Sequence, residues 1–225
     1  MQRVEFKPGS KLAELVVPMP KPSVNYVPEW FKNIPGIDNH GKNTSKKCMP
    51  FMDSFITGYT QELWCDVEIL KINGSFKYSF GGDVAPMSSR FEYAGSENLF
   101  PHFQGYEHVD FHWITQWEPK TPKGYSTFYS HPYNHFDLPF TTMSGFIDTD
   151  SYWGNGPLPF LIKDNFEGII PAGTPIYQIN FIKRDSWISS KGSFDENEYA
   201  KMRHSIKKYL SNGYKKTYWN KKSFN

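Results

Sequence analysis

Hydrophobic and polar positions alternate with a period of two through the middle of the chain, and this pattern predicts β-strands. The first predicted strand is Gln61–Ile72, which is followed by the dipeptide Asn73-Gly74 and a second alternating run over Ser75–Phe80. Asn-Gly between two such runs is the strongest short-range signal for a two-residue hairpin. Another strand is predicted over His108–Trp117, and several short ones across Pro122–Phe181, where Gly and Pro separate brief apolar runs. The centre of the chain is therefore predicted to be rich in β-sheet.

The first 46 residues are predicted to form an extended, Pro-rich arm. Leu12–Val17 has the pattern of a strand, and the four prolines between residues 18 and 28 forbid a regular helix or central strand there. A single helical turn is predicted to start at Pro28, since proline is favoured in the first turn of a helix. A short helix is predicted over Ser45–Tyr59, with Pro50 in its first turn.

The C-terminal region has the period of an amphipathic helix over Ser193–Leu210. Asp195 and Glu198 resemble a capping box at its start, and Gly213 suits a C-terminal cap. The chain is thus predicted to consist of three parts: an extended arm with one helical turn over residues 1–46, a single β-rich domain over residues 47–190, and a basic helix and tail over residues 191–225.

Composition agrees with a mainly β fold. The chain of 225 residues is 18% aromatic and contains 17 glycines and 17 prolines, which predicts many turns and a core of Phe, Tyr and Trp. Cys48 and Cys65 leave one disulfide open, but two buried free thiols are expected. Two cysteines exclude a disulfide framework or a Cys-based zinc site. No apolar run reaches the ~20 residues of a membrane span. The N-terminus lacks the apolar core of a signal peptide, so we expect an intracellular protein with no membrane partner.

Charge is distributed unevenly along the chain. The net charge is +2, but the sequence after Glu198 has eight Lys or Arg residues and no Asp or Glu, whereas the preceding part has 17 basic against 23 acidic residues. Such a tail is typical of an interaction element. Either it docks on the acidic body of its own or a neighbouring subunit, or it binds nucleic acid or another anionic surface, and its interleaved aromatic rings suit docking or stacking on bases. The candidate anion ligands are four lysines of the tail: Lys207, Lys208, Lys215 and Lys216.

Five short motifs occur in a characteristic order in the second half of the chain. They are Lys123-Gly-Tyr125, Ser130-His-Pro132, Gly145-Phe-Ile-Asp148-Thr-Asp150, Ile169 and Gly173-Thr-Pro-Ile176-Tyr-Gln178. Together they resemble the core of the dUTPase and dCTP deaminase family, in which a Gly-Tyr strand leads to His-Pro-Arg-Ser-Gly, a Gly-x-Ile-Asp hairpin and Gly-x-Arg-Ile-x-Gln. The resemblance covers roughly residues 107–184, about a third of the chain. It implies a β-clip fold, a compact trimer and a pocket between neighbouring subunits.

The resemblance also implies roles for individual residues. The hairpin with Gly145 and Ile147 would present backbone groups to a pyrimidine edge, because glycine permits close approach. Asp148 would orient or deprotonate the attacking water, and Tyr152 would stack against the sugar. Gln178 would face the phosphates or fix a subunit contact. Mg²⁺ would be required only by an active nucleotide hydrolase, and no other cofactor is expected.

Two departures from the family pattern both remove positive charge. The Arg-Ser pair that would hold the phosphate is Tyr133-Asn134 here, so that Asn134 stands at a nucleotide-binding position, and the Arg of the last motif is Pro175. Neither Tyr nor Asn replaces arginine in bidentate recognition of phosphate. Phosphoanhydride hydrolysis depends on positioning and charge neutralisation, so we expect a catalytically inactive, oligomeric structural or interaction module, with a trimer favoured. The alternative is a divergent pyrimidine-nucleotide pyrophosphatase or deaminase with Asp148 as base.

The chain as a whole also resembles uncharacterised proteins encoded by tailed bacteriophages. The segments that carry this second resemblance are Pro28-Glu-Trp-Phe31 and Lys47-Cys-Met-Pro-Phe51, ahead of the β core. It implies a location in the host cytoplasm or the virion, with other virion proteins as partners.

A further hypothesis concerns the segment from His108 to His112. A His-x-Asp pair occurs in non-haem iron oxygenases, where two His and one carboxylate bind Fe(II). His108, Asp110 and His112 would share one face of a strand, and His131 or His135 could supply the third ligand instead. The other interpretation of the segment is the polar face of an ordinary strand.

Overall fold

The computed structural model describes residues 2–89, 101–109, 111–154, 156–209 and 212–224. Within these residues the chain forms fourteen strands in four antiparallel sheets and five α-helices, which confirms the mainly β class. The β-clip itself stays a prediction. The strands, in chain order, are β1 (Glu5–Pro8), β2 (Lys21–Pro22), β3 (Tyr59–Glu62), β4 (Val67–Ile72), β5 (Ser75–Phe80), β6 (Met87–Ser89), β7 (Phe111–Ile114), β8 (Trp117–Lys120), β9 (Tyr125–Ser130), β10 (Phe140–Thr142), β11 (Gly145–Ile147), β12 (Pro157–Ile162), β13 (Gly168–Ile170) and β14 (Pro175–Lys183). The helices are α1 (Lys11–Val16), α2 (Glu29–Asn33), α3 (Met49–Ile56), α4 (Glu196–Lys207) and α5 (Gly213–Thr217).

Contacts divide the chain into two compact units, each built from two separate segments. The β unit consists of Met1–Ser23 and Gly58–Arg184, and the helical unit consists of Val24–Thr57 and Asp185–Asn225. This grouping does not follow the three consecutive parts predicted from the sequence, because the first 23 residues belong with the β unit.

The largest sheet of the β unit has the strand order β11-β9-β14-β3-β2. Its longest strand, β14, pairs with β9 from Gln178 opposite Ser130 to Lys183 opposite Tyr125. The other sheets have the orders β10-β12-β7-β6, β13-β4-β5 and β1-β8. β9 therefore lies between β11, which contains Gly145, and β14, and it is the element that positions most of the predicted site residues. The hairpin predicted at Gly145 is wrong, because among the described residues β11 pairs only with β9 and the preceding strand β10 belongs to another sheet.

The core of the β unit is aromatic, as the composition predicts. Trp113 is fully buried and stacks on Phe160 with 3.8 Å between ring centroids, and Phe140 packs edge-on against Trp113 at 5.1 Å. Such ring pairs each contribute about 0.5–1.5 kcal/mol beyond the burial of their area. The buried indole N–H of Trp113 donates to Thr142 Oγ1 at 3.1 Å, so the core holds a tryptophan without an unpaired donor.

The hairpin predicted at Asn73-Gly74 is confirmed. Strands β4 and β5 pair up to Ile72 opposite Ser75, and the two turn residues have φ values of 50° and 79°. Both values lie in the left-handed region that a type I′ turn requires, which is why Asn and Gly occupy these positions.

Two predicted strands are each interrupted. Gln61–Ile72 divides into β3 and β4. Leu63 still exchanges backbone hydrogen bonds with Gly173 and Thr174, just ahead of β14, and β4 begins only at Val67 in another sheet. His108–Trp117 divides into β7 and β8 at Thr115, whose hydroxyl accepts from the backbone N–H of Gly156 at 2.9 Å. At both breaks the chain bonds to residues that are distant in sequence.

The strand predicted over Leu12–Val17 is wrong, because this segment forms helix α1. Ser10 caps the helix, since its hydroxyl accepts from the backbone N–H of Ala13 at 3.0 Å. Ala13 and Val17 are buried with Trp117 in a second small core, and β1 pairs with β8. The first residues of the chain are therefore integrated into the β unit and do not form an extended arm.

The helical unit confirms three predicted helical elements, of which the first is the turn at Pro28, the N-cap residue of α2. Ser45–Tyr59 contains a 3-10 turn at Ser45–Lys47 followed by α3, and Asp195 caps α4 by accepting from the N–H of Glu198 at 3.0 Å. The prediction for Gly213 is wrong, because this residue opens α5. A Cβ there would lie 2.1 Å from the carbonyl oxygen of Ile206, so only glycine permits this approach to α4.

Both cysteines are free, as predicted, but Cys48 is exposed and only Cys65 is buried. No helix in the described ranges has the length and apolar character needed to cross a membrane.

Candidate functional site

Asp148 follows β11 directly and lies beside the start of β9. Its carboxylate oxygen Oδ1 accepts a hydrogen bond from the hydroxyl of Ser126 at 2.6 Å and lies 3.1 Å from a guanidinium nitrogen of Arg184. The side chain of Asp148 is 62% exposed. The predicted catalytic carboxylate is thus accessible to solvent but already bound to a cation of the same chain.

Asp150 binds the same arginine more closely. Arg184 Nη1 donates to Asp150 Oδ1 at 3.0 Å, Arg184 Nη2 donates to Asp150 Oδ2, and the backbone N–H of Gly124 donates to Oδ2 at 2.8 Å. The hydrogen bond from Arg184, followed by that from Gly124, lowers the pKa of Asp150 to about 2. Arg184 therefore holds two carboxylates just after the end of β11, and we call this group the Arg184 clamp (Asp148, Asp150 and Arg184).

The predicted nucleotide-binding residues divide between the two ends of β9. Ile147 pairs with Thr127 and leads into Asp148, and the backbone N–H of Tyr152 donates to the carbonyl of Asp148 at 3.0 Å. The side chain of Tyr152 is 55% exposed there.

The remaining candidates lie at the opposite end of the strand. Gly145 pairs with Tyr129, and Gln178 pairs with Ser130. The buried Gln178 accepts from the backbone N–H of Tyr133 at 3.0 Å, which places it under the turn that contains Asn134, a residue with φ of 62°. With ~3.3 Å per residue, these groups are separated from Asp148 by more than ~10 Å along β9. A single chain does not bring them into one pocket.

The turn that would hold a phosphate lacks cationic side chains. Residues 129–142 contain no Lys or Arg, and the ammonium group of Lys163, which reaches this turn, is bound to the carbonyl of Phe136 at 2.7 Å. His131 supports the turn, because its Nδ1 accepts from the N–H of Thr142 at 3.2 Å and its Nε2 lies 3.1 Å from the carbonyl of His135. Burial lowers the pKa of His131, so the imidazole is a neutral structural group.

Sequence reasoning missed a buried carboxyl group in β8. Glu118 is 1% exposed, and the hydroxyl groups of Thr115 and Tyr129 donate to its carboxylate, the second at 3.1 Å. Burial raises the pKa of Glu118 to about 7, although these hydrogen bonds oppose the shift. Tyr129 and Tyr177 are also fully buried, and burial together with the nearby Glu118 charge raises the pKa of both phenols. A Glu between Trp117 and Pro119 gave no sequence signal for this cluster.

His108 lines a groove of about 690 Å³ in the β unit, between the β4–β5 hairpin and the segment that leads into β7. Lys71 crosses this groove, with its ammonium group 3.2 Å from Glu107 and 5.0 Å from the ring centre of Phe76. Asp110, the predicted partner of His108, lies outside the described residues. Within the part of the chain that the structure describes, no three His, Cys, Asp or Glu side chains form a group suited to a metal ion. The iron site stays a prediction.

The basic tail is anchored within the helical unit. The indole N–H of Trp219 lies 3.0 and 3.1 Å from the two carboxylate oxygens of Asp53 in α3, and the ammonium group of Lys222 lies 2.6 Å from the same carboxylate. The four candidate lysines are exposed, and two of them lie over rings: Lys215 is 5.8 Å from the ring centre of Trp219, and Lys216 is 4.6 Å from that of Tyr209.

No protein-family model, curated protein or solved structure matches the chain. The chemistry open to the candidate sites therefore follows from their own geometry together with the sequence motifs.

Proposed function

We propose that this protein is a dUTPase-like β-clip protein of the kind encoded by tailed bacteriophages, which lacks nucleotide hydrolysis and acts as a trimeric structural or interaction module. The single observation that carries the proposal is the Arg184 clamp. The residue that the motif resemblance assigns as catalytic base is bound by a cation of its own chain, so the segment that follows β11 serves as a structural joint between β9, β11 and β14.

The clamp opposes catalysis for a simple reason. A general base must accept a hydrogen bond from the water that it activates. In Asp148 one of the two carboxylate oxygens, Oδ1, is held by Ser126 and Arg184, so Oδ2 alone is left for that role. Phosphoryl chemistry also needs positive charge beside the transferring group. The turn at Tyr133-Asn134 supplies none, and the nearby Lys163 is bound to a backbone carbonyl.

Assembly is supported by the exposed face of the β11-β9-β14 sheet. Phe146 is 64% exposed and stacks on Phe128 with 4.6 Å between ring centroids, and Ile182 on the same face is 42% exposed. The strand register places these side chains on the same face of the sheet. Phe146 lies opposite Phe128, and Phe128 lies opposite Asn180, two residues before Ile182 on β14. We call Phe146, Phe128 and Ile182 the apolar sheet face. Apolar side chains grouped on an exposed sheet favour association with another protein surface, and the motif resemblance favours a trimer of this chain, with other virion proteins as further partners.

A divergent pyrimidine-nucleotide pyrophosphatase or deaminase is the second candidate. The observation in its favour is that Asp148 is 62% exposed beside Arg184, a cation that the motif pattern did not place there. If a neighbouring subunit supplied the groups that lie at the far end of β9, Arg184 could turn toward a phosphate and release Asp148. Mg²⁺ would then be the required ion.

Nucleotide turnover separates the two candidates. The full-length protein is incubated with dUTP or dCTP and Mg²⁺, and release of pyrophosphate and of ammonia is compared with that of the Asp148→Asn variant. The module hypothesis predicts the same background for both proteins, with an active dUTPase as the positive control for the assay. Turnover that is present in the wild type and abolished in Asp148→Asn would replace the module by the enzyme.

A further inference from the structure

Helix α4 separates its side chains into two faces. Its cationic residues are all exposed and, at 100° per residue, occupy an arc of about 160°. The opposite side is partly buried and carries Met202, Ile206 and Tyr209. We call the exposed side the basic face, and its members are Lys201, Arg203, Lys207 and the C-cap residue Lys208.

Helix α5 places two more lysines beside the end of α4. The hydroxyl groups of Ser205 and Tyr218 lie 2.7 Å apart, which joins the two helices, and Lys216 of α5 lies over Tyr209 at 4.6 Å. Lys215 lies over Trp219, whose indole is fixed to Asp53. An aromatic ring packed against an ammonium group restricts the position of that ammonium group, and the opposite side of the ammonium group stays open to an anion.

The surplus of positive charge belongs to the helical unit. This unit contains 13 Lys or Arg against 7 Asp or Glu, whereas the β unit contains 12 against 16. Cations near the C-terminal end of α4 stabilise the helix through its dipole. Arg203 and Lys207, however, are four residues apart, a spacing at which like charges destabilise a helix. Helix stability alone therefore does not account for the whole basic face.

Two aromatic rings lie exposed beside these cations. Tyr214 is 42% exposed and Tyr218 is 43% exposed, and their ring centroids are 6.4 Å apart. Unpaired bases stack on exposed aromatic rings whereas paired bases are stacked on each other, so rings interleaved with lysines favour a single strand over a duplex.

We propose that α4 and α5 form a binding site for single-stranded nucleic acid, in which the basic face together with Lys215 and Lys216 binds phosphates and Tyr214 and Tyr218 stack on bases. This site is independent of the Arg184 clamp and of the apolar sheet face, so it gives the proposed module a second kind of partner.

The test is fluorescence anisotropy of the full-length protein with a labelled 20-nucleotide oligo-dT, with a 20-base-pair duplex and with acidic phospholipid vesicles as competing ligands. One variant replaces the four exposed tail lysines by Gln: Lys207, Lys208, Lys215 and Lys216. A matched control replaces four exposed lysines of the β unit by Gln: Lys11, Lys77, Lys120 and Lys123. Both carry the same change of net charge, and circular dichroism with thermal melting verifies that each is folded.

The tail variant is expected to bind oligo-dT at least about tenfold more weakly than the control variant, because up to four phosphates are left without a cationic partner. The slope of log affinity against log salt should also become shallower, by about 0.7 for each phosphate that is no longer neutralised. The separate variant Tyr214→Leu should weaken binding of oligo-dT about fivefold or more, because a base can no longer stack on this ring, while leaving the duplex unaffected.

Three results would overturn the proposal. Equal weakening in the tail variant and the β-unit control would show that binding follows net charge alone. Duplex binding as tight as oligo-dT binding, with no effect of Tyr214→Leu, would show a site for phosphate backbones and not for single strands. Binding to acidic vesicles without any binding to oligo-dT would assign the basic face to a membrane surface.

Discussion

Glu118 allows a quantitative test of the core of the β unit, because a single substitution removes its charge and keeps its shape. Glu118→Gln replaces the buried carboxyl group by a neutral amide that still fits between Thr115 and Tyr129. The folded-state pKa of Glu118 is about 7 against an ordinary value of 4.5. The native protein therefore favours the protonated form of this side chain.

The sign of the effect follows from this difference. The unfolding free energy of a protein with such a raised carboxyl pKa is highest below pH 4.5, where the group is protonated in both states. It falls as the pH rises from 4.5 to about 7, because the unfolded state then releases the proton more readily than the folded state. The shift corresponds to about 3 kcal/mol of unfolding free energy. His131 has the opposite sign, since its lowered pKa makes protonation favour the unfolded state, so the pH dependence of the wild type alone is not diagnostic.

The difference between two proteins isolates Glu118. Urea unfolding is measured for the wild type and Glu118→Gln at a fixed protein concentration from pH 4.5 to 8.5, and the wild-type value is subtracted from the variant value at each pH. We expect this difference to rise in favour of the variant by about 3 kcal/mol and to level off above pH 7. Glu29→Gln, which removes a carboxylate that is 75% exposed, is the matched control for loss of charge. A difference that is flat with pH would refute the burial of an ionisable Glu118.

Three further substitutions test other parts of the structure. Gly58→Ala should destabilise the β unit by at least about 2 kcal/mol more than Gly74→Ala in urea unfolding. Both glycines have φ near +75°, but only at Gly58 would a Cβ lie 2.0 Å from a backbone oxygen of β14. Equal destabilisation by the two substitutions would contradict this packing. Asp53→Ala should release the C-terminal indole and ammonium group bound to it, which limited proteolysis would detect as faster cleavage of the tail; an unchanged cleavage rate would contradict the anchor. Arg184→Gln should raise the pKa of Asp150 from about 2, as followed by NMR titration of the carboxyl carbon, so the wild type loses more stability than the variant as the pH falls from about 4 to about 2; an unchanged pKa would contradict the clamp.

The sequence predicts those elements whose ends are decided locally. The β4–β5 hairpin follows from Asn73-Gly74, and the start of α4 follows from Asp195, because each signal acts on its own neighbours in the chain. The break between β7 and β8 could not be predicted in this way, since it lies at Thr115, which bonds to Gly156 at a separation of 41 residues. Helix α1 also has a local signal, its N-cap residue Ser10, but the hydrophobic pattern of Leu12–Val17 favours a strand.

The candidate site shows the same limit more strongly. The motif resemblance located Asp148, but Arg184 lies 36 positions later and reaches it only because β9 and β14 are antiparallel neighbours. Two strand pairings, that of β14 with β9 and that of β11 with β9, are needed to place Arg184 close to Asp148. Glu118 could not be found from the sequence, because its buried contacts with Tyr129 and Gly156 form only in the folded chain.

The association state tests the proposed module most directly. Sedimentation velocity of the full-length protein at micromolar concentration is predicted to give a trimer of about 79 kDa, three times the chain mass of 26.2 kDa. Phe146→Ser, on the apolar sheet face, should shift the protein toward the monomer, whereas Leu15→Ser, which changes an apolar residue that is 82% exposed on α1, should leave the mass unchanged. A wild type that sediments as a monomer of 26.2 kDa would contradict the account.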